Sequence, residues 1–189
     1  MTDLRTEPGS VIAAAPDMLD PNFMHTVVLM IQHNEQGAYG LVINRPAAIT
    51  VDALMPDHPL LGNEKFPIFA GGPVGLDTLQ FVHRVGEEVP GGLDLGDGLY
   101  LGGDLEALAQ LITRRGERAL EAVRLIVGYS GWGAGQLDRE LSTGSWLPAA
   151  IEPTWIFQAD PQAVWRRVLR SLGREAAGLE DLPPDVSWN

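Results

Sequence analysis

No cysteine occurs in the 189-residue chain. This excludes a disulfide framework, a thiolate nucleophile and a thiolate metal site. Cationic residues are also scarce: 13 Lys and Arg stand against 25 Asp and Glu, a formal net charge of -12. Affinity for a phosphate backbone comes mainly from cationic contacts, so direct nucleic-acid binding is not expected. No apolar run approaches the ~18 residues of a membrane span, and the opening MTDLRTEPGS lacks an apolar signal core, so no membrane partner is expected either. A reducing cytoplasm is the simplest home for such a chain. Internal repeats, linkers and low-complexity tracts are missing too. The length and the 45% hydrophobic content suit one domain, residues 1–189, with residues 1–9 and 176–189 as loose ends.

The strongest local pattern is a hairpin. Thr26 to Ile31 is continuously apolar and rich in β-branching, as in a strand covered on both faces. His33 to Gly37 reads as the turn and Tyr39 to Asn44 as the returning strand, ended by Arg45-Pro46 because proline cannot donate to a ladder. Val11 to Ala15 reads as an earlier strand. Ile68 to Ala70, Leu79 to His83, Leu99 to Leu101 and Val123 to Val127 read as later ones, with 86–98 as a Gly- and Asp-rich loop. Trp146-Leu147 and Thr154 to Phe157 look like closing strands. Thr50 can cap a short helix bearing Val51, Leu54 and Met55. Asp104 caps another with Leu105, Leu108, Leu111 and Ile112 on one face. A third helix spans about 135–143, and a last one follows the Asp160 cap and Pro161. Hairpins alternating with separate helices define an α+β fold.

Gly128 to Leu141, GYSGWGAGQLDREL, concentrates glycine beside Tyr129, Trp132 and a polar set. One reading is a sharp strand-to-helix turn with Tyr129 and Trp132 as core plugs. The other is a helix N-terminus whose free amides face an anion. The segment begins a nucleophile elbow at Ser130, but Trp132 stands where G-x-S-x-G needs glycine, so a nucleophilic serine is not expected. Its glycines do not match G-x-G-x-x-G, and no Walker A sequence is present. His25, His33, His58 and His83 form no metal-ligand spacing. No metal, cofactor or catalytic residue is therefore assigned. Asp138 and Glu140 diverge by ~200° on a helix and cannot pair, whereas Gln136 and Glu140, four apart, share a patch.

Several blocks carry a family resemblance. These are P-x-x-x-D-P-x-F at Pro16, Asp20, Pro21 and Phe23, TVVLMIQHNEQGAYGLVINRP over 26–46, GGPV at 71–74, and GYSGWGAGQLDREL followed by Trp146-Leu147. On these the chain resembles the YqgE/AlgH family of uncharacterised bacterial proteins, across most of residues 10–157. Asp138, where the family more often has glutamate, and Thr26, where serine is commoner, are mild departures. The resemblance implies an α+β fold with a curved, mostly antiparallel mixed sheet flanked by helices. It also brings the label of a transcriptional regulator linked to alginate production. No helix-turn-helix with a basic reading helix supports that label here.

The candidate ligand-binding residues are His33, Asn44, Arg45, Gly72, Trp132, Gln136 and Glu140. All lie where presumed strands end, and the four blocks that carry them are expected to converge on one side of the domain. Arg45, clamped by Pro46, has the fork to hold a carboxylate or phosphate, or else an internal acid such as Asp20, Asp138 or Glu140. The leading expectation is a non-catalytic regulatory module that binds a small anionic ligand or a protein. The alternative is a hydrolase or transferase with its cleft at Arg45 and Glu140. DNA-binding regulation comes third.

Overall fold

The apolar run at 27–31 sets the frame. In the computed structural model, which describes residues 6–157 and 160–173, it lies in strand β2 (Val27–Asn34), the first arm of the hairpin. The second arm is β3 (Gly37–Val42), paired antiparallel with a register shift between Met30 and Gln32. Successive side chains point to opposite faces, and both faces are covered. Leu29 and Leu41 enter one core with Trp155, Trp165 and Leu169, whereas Val28, Met30 and Val42 enter another with Trp132, Trp146, Leu137 and Leu141. The strand reaches Asn34, so the turn is shorter than the pattern suggests, and Asn34 Oδ1 closes it by accepting from Gln36 N–H at 2.9 Å.

β1 (Val11–Ala14) adds to β2 and is itself covered by β10 (Trp146–Ala149). Residues 6–9, expected to be frayed, are tied down. Gly9 N–H donates to the Met30 carbonyl at 2.8 Å, and Thr6 is buried. Residues 1–5 and the 176–189 tail lie outside the described residues.

Two strands escaped the sequence reading. Pro46 does not end extended structure but begins β4 (Pro46–Thr50), which pairs only with β5 (Pro67–Ala70). An edge position is where a strand tolerates proline. The glycine-rich loop contains β7 (Leu93–Gly96), which pairs with β8 (Leu99–Leu101) at the other margin. β6 (Val74–His83) is twice its expected length, and its first half is mostly exposed, so no apolar run announces it.

The largest correction concerns β9 (Val123–Gly133), which continues through the glycine segment instead of stopping at Val127. GYSGWG is strand, and the turn comes after it. β9 holds the sheet together. It pairs parallel with β5, antiparallel with β6 and, through Gly131 and its neighbours, antiparallel with β3. The sheet path runs β10-β1-β2-β3-β9-β6-β8-β7, with β5 and β4 beside it. Midway, Gly128 takes φ 75, and the side-chain alternation slips by one. Ile126 faces the core that Tyr129 borders, and Trp132 faces the other one.

Five α-helices cover the sheet among the described residues. α1 (Val51–Leu54) and α2 (Leu105–Arg115) enclose a third core with Phe81, Leu125, Leu108 and Ile112. Asp104 caps α2 as expected, accepting from Ala107 N–H at 2.9 Å. α3 (Gln136–Ser142) buries Leu137 and Leu141. Thr154–Phe157 is not a strand but a single helical turn, α4, entered from Pro153; a four-residue apolar run has no period to distinguish the two. α5 (Pro161–Ser171) begins at the Asp160 cap and packs Val164, Trp165, Val168 and Leu169 against the sheet. None of the described helices is long and apolar enough to cross a membrane.

Candidate functional site

The carboxylate of Glu140 is a meeting point. On the second turn of α3 it accepts from the indole N–H of Trp132 at 2.9 Å, of Trp146 at 2.9 Å and from Gln136 Nε2 at 2.9 Å. Gln136 in turn accepts from Gly133 N–H at 3.0 Å through Oε1. The Gln136–Glu140 patch expected from their spacing is therefore formed, with the Glu140 carboxylate turned onto the tryptophans. Phe23 closes the cluster, 6.2 Å from the Trp132 ring and 5.5 Å edge-on to Trp146.

Arg45 acts on the loop that delivers Phe23. Its guanidinium donates to the carbonyls of Asn22, of Pro21 at 2.9 Å and of Met24 at 3.1 Å. Asp20 favours the charged form of Arg45, although burial is the larger influence and lowers its pKa. Asn44 works beside it: Oδ1 accepts from Val27 N–H at 2.9 Å and Nδ2 donates to the His25 carbonyl at 2.9 Å. An asparagine that donates and accepts at once replaces a strand partner where β2 begins. Thus NRP, D-P-x-F and the glycine block converge through Phe23.

His33 lies at the opposite end of the hairpin. Its Nδ1 accepts from Thr6 N–H at 3.0 Å, which leaves Nε2 to donate toward Asp138 Oδ1 at 3.4 Å. This ties residue 6, the hairpin and α3 together. Gly72 sits where β5 and β6 pass β9. A Cβ there would fall 2.1 Å from the Tyr129 carbonyl oxygen, so the close approach is of backbone to backbone. The neighbouring Gly71 carbonyl accepts from Val42 N–H at 2.9 Å and from Ser130 Oγ at 3.0 Å, and Ser130 is fully buried. Its hydroxyl is a brace between blocks.

The seven candidate residues thus fall into three groups. Trp132, Gln136 and Glu140 are in direct contact, Asn44 and Arg45 join them through the 20–24 turn, and His33 and Gly72 brace separate junctions. Phe23 and Trp146 are not among the candidate ligand-binding residues, although both stand in the quoted blocks. A tryptophan at 146 with a glutamate six residues earlier gives no periodic signal.

His83 ends β6 in full burial between Phe81 and Tyr100. Val85 N–H approaches Nδ1 at 3.3 Å, so Nε2 carries the proton and donates to the Gly102 carbonyl at 2.8 Å. Desolvation lowers its pKa and outweighs the opposing hydrogen bond to Gly102. The unfolded imidazole takes up a proton near 6.5 while the folded one resists. Stability from this group is therefore full above about pH 6.5 and declines as pH falls toward the lowered folded value. Urea titrations between pH 7.5 and 5 are expected to show a decline that is shallower in His83→Gln, by up to about 1.4 kcal/mol per pH unit. Parallel profiles would refute this assignment.

An α+β sheet built around one long strand is the fold of solved AlgH-like proteins. The solution structure of the AlgH protein from Pseudomonas aeruginosa is 30% identical, with a TM-score of 0.69 over 95% of this chain and 97% of that one. A crystal structure from Corynebacterium diphtheriae shares the fold at 23% identity, with a TM-score of 0.74 over 94% and 93% of the two chains. The AlgH-like family profile matches residues 11–177. A UPF0301 protein of Chlorobium limicola is 38% identical over 95% of both chains, and one of Streptomyces coelicolor is 37% identical over 100% of this chain and 98% of its own. The chain belongs to the YqgE/AlgH family, and the names of these relatives assign no reaction.

Proposed function

We propose that the chain is a cytoplasmic, non-catalytic regulatory module that binds a protein partner through the 16–25 loop. The observation that carries this is the engagement of Glu140 and Arg45. A carboxylate accepting three hydrogen bonds, and a guanidinium turned onto three carbonyls, are poorly placed to act on substrate; Arg45 holds the 21–24 turn directly, and Glu140 fixes the two tryptophans on which Phe23 packs. At the tip of that loop Leu19 is 82% exposed, while Phe23 anchors its far end. A rigidly held loop with an apolar tip is preorganised, so binding costs little ordering entropy. The net charge of -12 argues against DNA as the partner.

The test is a photo-crosslinking side chain placed at position 19, with the exposed Asp97 as a control position, in living cells. One discrete protein adduct at 19 and none at 97 is the expected result. Equal labelling at both positions would overturn the loop as a recognition surface. A compound depleted from a metabolite extract by the wild-type protein but not by Glu140→Gln would replace the reading with the enzyme alternative.

A further inference from the structure

Arg124 is a cation in the wrong place for a chain so rich in acids. It lies on β9, 7% exposed, with its guanidinium carbon 5.2 Å from the Phe69 ring centroid and 5.7 Å from that of Phe157. Nη1 donates to the carbonyls of Leu120 at 2.5 Å and Val123 at 3.0 Å, while the buried Nε has no hydrogen-bond partner. Burial alone lowers its pKa, to about 10. Arg84 stands next to it. Val82 pairs with Arg124 across the strands, Arg84 N–H donates to the Ala122 carbonyl, and the Arg84 guanidinium carbon is 5.2 Å from the same Phe157 ring. Two like charges therefore share one aromatic ring. Among the described residues neither forms an ion pair, although the chain has 25 acids. Aromatic faces attract cations, but they offset only part of the cost of burying one, and a second cation alongside adds to it.

The geometry points to Arg84 and Arg124 as a binding site for a phosphate monoester, entered from the exposed Arg84 side and backed by Phe157. A dianion matches two guanidinium groups. The exposed Arg84 supplies the first encounter, and the nearly buried Arg124 supplies charge-assisted hydrogen bonds strengthened by the dry surroundings. This site lies on the face of the sheet away from Trp132 and Trp146, and it does not depend on the 16–25 loop.

Inorganic phosphate is the probe, titrated into the isotopically labelled full chain with ionic strength held by chloride. Saturable amide shifts at Val82, Val123 and Phe157 are expected, with sodium acetate giving a markedly weaker response. Arg84→Ala, a change at an exposed position, should raise the midpoint by about tenfold, the loss of one charge-assisted contact. Arg124→Met, which keeps the apolar stem between the rings, should abolish saturation. If that variant does not fold, the Arg84→Ala result decides alone. Linear, unsaturable shifts, an unchanged midpoint in Arg84→Ala, or an equal response to acetate would each overturn the proposal. Failure here leaves the crosslinking result at position 19 untouched, so the two ideas fall separately.

Discussion

Alanine at Trp146 is expected to destabilise the fold by about 3–5 kcal/mol, as truncation of a large buried aromatic does. The side chain is 1% exposed and stands edge-on to Phe23 and, at 5.8 Å, to Trp132. It fills the core between α3 and the β1–β3 face. Trp132→Ala should behave alike, because that ring is also buried and shares the same carboxylate. Trp146→Phe should keep most of the packing and lose about 1–3 kcal/mol through the missing N–H donor to Glu140. Urea denaturation of the three variants measures this. Losses below about 1 kcal/mol for both alanine variants would mean that the rings line a surface.

The second large effect is expected at Gly128. Its φ of 75 is left-handed, and a Cβ there would lie 2.6 Å from the Gly72 carbonyl oxygen. Gly128→Ala therefore combines dihedral strain with a backbone collision, and about 3 kcal/mol or more should be lost. Gly144 separates the two contributions. It has φ 76, and a methyl group added there would meet nothing within 4 Å, so Gly144→Ala should cost only the strain, roughly 1–2 kcal/mol. Equal losses at the two sites would show that the approach of Gly72 to β9 carries no weight.

The hairpin, α2 and α5 were readable because each has a period and a stop: two-sided apolar runs with a turn, or an apolar face behind an aspartate cap. β4 and the first half of β6 were not, since exposed edge strands such as Pro46–Thr50 have no buried pattern to reveal them. The glycine block misled for a physical reason. Its glycines mark backbone crossings at Gly72 and Gly128 beside a continuous strand, and a sequence cannot distinguish a crossing from a turn. The candidate residues were found as positions, and most of their partners are backbone groups. Arg45 meets carbonyls of residues 21–24, a pairing that no complementarity of side-chain charge could announce. Arg124 interrupts an apolar strand, and nothing in the spacing marks Arg84 as its neighbour.

The central position of β9 also bears on how the chain is made. Its partners β3, β5 and β6 lie between residues 37 and 83, yet β9 itself spans 123–133. During synthesis those strands leave the ribosome first and keep unpaired edges until β9 follows, several seconds later at ~5–20 residues per second. β1 waits longer still, for β10 at 146–149. Such non-local pairing makes folding slow and leaves nascent edges open to other chains. Synthesis of this protein therefore includes an interval in which a finished hairpin has no neighbour on its β3 edge, and a holding chaperone would act most usefully then.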